Sequence, residues 1–336
     1  MTEPEPPRDA PQSLTWLWPM AVPVLPLLFA ILLLQYLGMP AGADALVPET
    51  MAQGGAAALR HAGDRMAYGV AVAIHTGVCL GAIVFYWIVL RRVATTDRPP
   101  VLVAAAVMVA AVLAALVLLS QIEPPLDVYR FTYFVFDALL RASGLARDLT
   151  GSGPPGSFSP LAVAVLYPSA LGILSVVLAA GIACAVLRRI GPPHGNGWAA
   201  DFRGNIRVLY RCFYALSAVL VTSTATALLF FQLPVGVIDA DNAEFAAAVS
   251  GYAARVATFW GGIYTLTLFA VYAAPLAILY ERARRHVDDH DGGLDLMDWL
   301  REHGFDSSIR ENLKNLVVVL APLLVGPLGE LSRAFG

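Results

Sequence analysis

The chain has 336 residues, of which 58% are hydrophobic and 14% charged, and its mean hydropathy is +0.66. Soluble domains carry about 25% charged residues, so an ordinary soluble globular protein is excluded. The net charge of −3 speaks against a nucleic-acid-binding protein, which would present a basic surface.

The apolar residues come in blocks, and a helix of about 20 apolar residues crosses a bilayer at 1.5 Å rise per residue. Six stretches qualify. The expected fold class is all-α: a polytopic integral membrane protein with a six-transmembrane-helix bundle and a short cytoplasmic helical tail. Residues 1–14 are acidic and proline-rich and lack the basic start of a signal peptide. They read as a disordered N-terminal tail. Residues 15–286 read as the six-helix membrane domain. Residues 287–336 read as a cytoplasmic tail, with an acidic linker and a C-terminal amphipathic to apolar helix.

In chain order the predicted spans are Trp16–Leu37, Ala67–Leu90, Val101–Ser120, Pro160–Leu187, Val208–Leu233 and Val256–Tyr280. Pro19, Pro23 and Pro26 delay or kink the first, and Pro168 and Pro275 interrupt the fourth and sixth. The linker after the fourth span carries Arg188, Arg189, Arg203, Arg207 and Arg211. Positive loops stay in the cytoplasm. Twelve arginines near span ends fall on the linker's side and six on the other. That places both termini in the cytoplasm of a bacterial-type inner membrane. Leu90-Arg91-Arg92, Leu187-Arg188-Arg189 and Arg282 to Arg285 end three hairpins in the same way, as the charge rule alone requires. The loop 121–159 holds an aromatic segment, Val128–Leu140, expected to lie in the outer interface. Beyond it, Asp241-Asn242-Ala243-Glu244 has capping-box spacing. An unbroken helix is predicted from there to His286, about 66 Å long and so longer than the membrane is thick.

Small residues recur every fourth position at Gly69, Ala73, Gly77 and Gly81. Such a stripe lets helix backbones approach closely. It predicts a packing face, either inside one bundle or between subunits, with Gly77 in a tight helix contact. Weaker stripes run through Ala106, Ala110 and Ala114 and through Ser175, Ala179 and Ala183. His75 is the only acidic, basic or imidazole side chain well inside a span. Such a residue is a functional hypothesis by default. The plain alternative is a neutral, hydrogen-bonded structural histidine. No second histidine lies in a span, so a bis-histidine haem is not expected, and no cofactor or metal is. The fifth span carries Ser217, Thr222, Ser223, Thr224 and Thr226. Ser217, Thr222, Ser223 and Thr226, with His75, are the candidate lining of a pore or path. The plain alternative is that these hydroxyls bond their own helix carbonyls or glue neighbouring helices.

Cys79, Cys184 and Cys212 form no CxxC pair and read as small buried apolar residues. Val287–Asp298 resembles a calcium loop in spacing but has Val287 at the first ligand position, so an acidic linker is expected. P-loop, HExxH and nucleophile-elbow motifs are absent, and no enzymatic role is predicted. The expected function is a non-enzymatic channel-like or oligomeric membrane assembly. A small-solute transporter and a membrane subunit of a larger complex are the alternatives. The expected partners are the lipid bilayer and a second copy, joined through the small-residue stripe or the tail. In that tail, Ser308-Ile309-Arg310-Glu311 is a capping box. It leads into an apolar run, Leu316–Val325, of about half a span. The run is expected to dock against its own bundle or another copy without spanning.

Overall fold

A computed structural model describes residues 55–93, 160–190, 198–238, 240–290, 295–302 and 317–327, with helical single positions at Leu25, Pro26, Phe29, Ala30, Ala106 and Ala110. The first and third predicted spans, the aromatic segment of loop 121–159 and the capping box at Ser308 lie outside these residues. The described part is helical: α1 (Gly55–Val93), α2 (Pro160–Ile190), α3 (Trp198–Gln232), α4 (Ala243–His290), α5 (Leu296–Glu302) and α6 (Val317–Pro327). Two 3₁₀ turns, Leu233–Val237 and Ala240–Asn242, join α3 to α4.

Four of these helices, α1 to α4, are long and apolar enough to cross a membrane. They coincide with the second, fourth, fifth and sixth predicted spans. A bilayer forces this choice, because each backbone N–H and C=O in the hydrocarbon must be satisfied within its own segment. α4 runs unbroken for 48 residues through Pro275. Its length is about 72 Å at 1.5 Å per residue, so the long unbroken helix read from the sequence is present.

Each long helix packs against its neighbour in sequence, and α1 packs as closely on α3. α3 and α4 are antiparallel, paired through Phe213–Tyr272 (ring centroids 4.8 Å), Ser223–Tyr264 (3.2 Å) and Phe231–Tyr252 (6.3 Å). α1 and α2 run parallel: His75 meets Pro168, and one turn on, Cys79 meets Ser175. α2 is the most enclosed, with 72% of its apolar window buried against 28% for α1. The Ser175, Ala179, Ala183 stripe is fully enclosed, each residue at most 1% exposed. Small residues there let three helices close around α2.

Basic residues gather at one end. Arg91 and Arg92 close α1, the Arg282 guanidinium donates to the Leu187 carbonyl at the end of α2, and Arg203 lies in the first turns of α3. This is called the linker end below. α5 is held there by aromatic stacking: Trp299 lies 5.9 Å from Trp198 and 5.5 Å from Phe202, centroid to centroid. The Arg203 guanidinium also donates to the Glu302 carbonyl. Of the acidic linker, Asp298 pairs with Arg301 at 3.1 Å, both exposed.

α6 docks against its own bundle, within the apolar layer and not beneath it. The Ser217 hydroxyl of α3 donates to the Val318 carbonyl at 2.8 Å, and Gly261 of α4 lies against Pro322 and Leu323. The hydrogen bond has a local cause. Pro322 lacks the N–H that would serve the Val318 carbonyl four residues earlier, and Ser217 supplies the replacement donor. Ser217→Ala should leave that carbonyl unpaired and cost about 1–3 kcal/mol. Thermal unfolding in detergent checks this, and an unchanged midpoint would mean that the carbonyl finds water.

Candidate functional site

The polar side chains of the bundle converge where α1, α2, α3 and α4 meet. His75 is completely buried. Its Nε2 lies 3.2 Å from the Pro168 carbonyl and its Nδ1 2.8 Å from the Thr222 hydroxyl. A carbonyl only accepts, so Nε2 carries the proton that is donated to Pro168, and in the neutral ring Nδ1 accepts from Thr222. Thr222 has competing acceptors, the Val219 carbonyl at 2.9 Å and the Ala218 carbonyl at 3.1 Å. One hydroxyl proton therefore has three acceptors within reach and can swing between imidazole and backbone. Cys79 stacks beneath, its Sγ 3.4 Å from His75 Nε2. The Ser175 hydroxyl below it returns to the Leu171 carbonyl at 2.9 Å.

A cavity of about 50 Å³ adjoins this cluster, lined by Tyr68, Pro168, Ser169, Ser223, Thr226, Ala227, Phe230, Phe231, Trp260 and Tyr264. It is large enough for roughly three or four water molecules. Gly172 connects cavity and cluster, since a Cβ at that position would lie 3.9 Å from both His75 Nε2 and Ser223 Oγ. The cavity is rich in donors. Ser223 and Tyr264 share one hydrogen bond at 3.2 Å, which uses one of their two hydroxyl protons. The Trp260 indole N–H is buried with no hydrogen-bond partner among the described residues. A buried N–H left unpaired costs about 1–3 kcal/mol. Among the described residues no carboxylate lines it, and no cluster of three or more His, Cys, Asp or Glu exists to hold a metal.

Toward the linker end the bundle is packed shut. Tyr86, Leu90, Ile182, Leu209, Leu216 and Leu279 are each at most 1% exposed, and the Tyr86 hydroxyl donates to the Cys212 carbonyl at 3.2 Å. The cavity beside His75 lies in the half away from the arginines.

The sequence candidates divide. His75, Thr222, Ser223 and Thr226 come together at the cluster and cavity. Thr226 also donates within its own helix, to the Thr222 carbonyl at 2.8 Å. Ser217 lies apart and serves α6. Thr224 is buried and returns to the Leu220 carbonyl at 2.9 Å. Gly69, Ala73, Gly77 and Gly81 are on the exposed face of α1. A Cβ at Gly69, Gly77 or Gly81 would meet nothing within 4 Å, so among the described residues the stripe packs against no helix. Trp260, Tyr264 and Pro168 were not singled out from the sequence as lining. Their available signal was an aromatic with a polar tip, or a proline, in the middle of an apolar span.

No protein-family model, no curated protein and no solved structure matches the chain.

Proposed function

We propose that this chain is a non-enzymatic membrane protein of the channel-like kind, with six spans ahead of residue 287. It admits a small, uncharged polar solute or water to the cavity beside His75. The observation that carries the reading is a donor-rich cavity continuous with a buried imidazole–hydroxyl cluster in an otherwise apolar bundle. Polar groups at membrane depth are expensive and persist where they serve a pathway. The volume fits a few heavy atoms, and the lack of a lining carboxylate disfavours a cation. The third predicted span is supported by direction: α1 ends at the linker end and α2 begins at the other, so the chain between them has to change sides an odd number of times. The collected arginines support a cytoplasmic linker end.

A second reading is a small-solute transporter, favoured by the packed linker half, since a carrier closes one side while the other admits solute. Assembly with a second copy, or within a larger complex, would use the exposed stripe of α1.

The test is osmotic relaxation of proteoliposomes in water, urea and potassium gradients. Entry of water or urea above the rate of protein-free liposomes, slowed by Trp260→Phe or Tyr264→Phe, supports the reading. Flux that saturates with urea concentration selects the carrier. Potassium flux alone, or none above background, refutes both.

A further inference from the structure

The carboxyl-terminal segment is tied to the bundle at several heights, and those heights are far apart. α5 belongs to the linker end, where Trp299 packs on Trp198 and Phe202 and the Glu302 carbonyl receives Arg203. α6 begins at the level of Ser217, through the Val318 carbonyl. Its middle lies on Gly261 of α4, where an added Cβ would come within 2.9 Å of Leu323 Cα and of the Pro322 carbonyl carbon. Its end lies higher still. A Cβ on Gly326 would come within 2.9 Å of Thr258 N and 3.0 Å of the Ala254 carbonyl oxygen.

α4 runs toward the linker end, so contacts that pass from Gly261 to Ala254 move away from it. The pairs Ser223–Tyr264 and Phe231–Tyr252 bracket the Ala254–Thr258 turn, so Gly326 lies farther from the linker end than Ser223. From the level of Arg203 to that of Ser223 is 20 residues of α3, about 30 Å at 1.5 Å per residue. That equals the hydrocarbon thickness of a bilayer.

We propose that the carboxyl-terminal segment is itself a membrane crossing, with α6 its far half, so that Glu302 and Pro327 lie at opposite faces. The inference is independent of the solute reading. Charge distribution agrees with it. In sequence, every charged residue between Glu302 and Pro327 precedes Asn315. The backbone of α6 is treated as hydrocarbon demands, with Ser217 serving the carbonyl that Pro322 orphans. Gly261 and Gly326 bring α6 backbone to α4 backbone at distances no side chain would permit. That is how small residues join helices in lipid, where no hydrophobic drive between helices exists. The crossing was hidden from hydropathy because its apolar run is half a span. The sequence before it is interrupted by Asp306, Arg310, Glu311 and Lys314, so no 20-residue apolar window forms.

The test is sidedness in sealed membrane vesicles of both orientations. Glu302→Cys and Pro327→Cys are labelled with a membrane-impermeant maleimide, and the native cysteines among the described residues are all buried. The expected result is labelling of the two positions from opposite faces. A protease site appended after Gly336 gives a second measurement and should be cut only from the face that labels Pro327→Cys. Labelling of both cysteines from one face overturns the proposal. So does cleavage of the appended site from the face that labels Glu302→Cys, in particular where Pro327→Cys is shielded from both sides.

Discussion

Gly261→Leu should lower the thermal unfolding midpoint in detergent by about 4 °C. The substitution drives a side chain into the Pro322 and Leu323 backbone of α6. Backbone does not yield as a side chain tip does, so either α6 is expelled or α4 bends. Overpacking of this kind costs about 3 kcal/mol, and at about 2.1 cal/mol/K of unfolding entropy per residue each kcal/mol is worth roughly 1.4 °C in 336 residues. Expulsion of α6 would also leave the Val318 carbonyl without Ser217. Gly77→Leu is the control on the same residue type. With nothing within 4 Å of a Cβ there, it should shift the midpoint by less than about 2 °C, as exposed substitutions do. Light scattering of the Gly77→Leu protein then reports whether the stripe holds a second copy. A large loss of stability from Gly77→Leu and none from Gly261→Leu would reverse the packing described here.

His75→Leu should separate a working histidine from a structural one. Leucine replaces much of the ring's volume and removes its two hydrogen bonds. Thr222 keeps the Val219 and Ala218 carbonyls as acceptors, so no hydroxyl is stranded, and the stability change should stay near 1 kcal/mol. Solute entry into proteoliposomes should fall about tenfold, the equivalent of one hydrogen bond of roughly 1.4 kcal/mol at the polar step. A purely structural His75 gives the opposite pair of results: a markedly lower unfolding midpoint, with flux scaling only with the amount of folded protein.

Part of this protein can be read without coordinates. The helical class and the positions of α1 to α4 follow from runs of apolar residues, because a bilayer leaves no other satisfied backbone. The clustering of arginines predicts which helix ends share a face, and in the structure Arg91, Arg92, Arg203 and Arg282 do share one. His75 stands out because an imidazole in a span is rare. In each case the signal is local: a property of one residue or one helix against the membrane.

The rest is a property of pairs. A four-residue stripe of small side chains has the same pattern in α1, where it stands open, and in α2, where it is enclosed. Periodicity records a face but not what lies opposite. The hydroxyls of α3 look alike in sequence. Their roles were set by neighbours from elsewhere in the chain: His75 for Thr222, Tyr264 for Ser223, Val318 for Ser217. Trp260 lines the cavity only because α4 turns its indole toward α3. Length and apolar composition thus determined that the chain forms helices long and apolar enough to cross a membrane. Tertiary structure alone decided which polar groups meet and where α6 rests, because hydrogen bonds and backbone approaches between helices depend on rotation and register, which hydropathy does not encode.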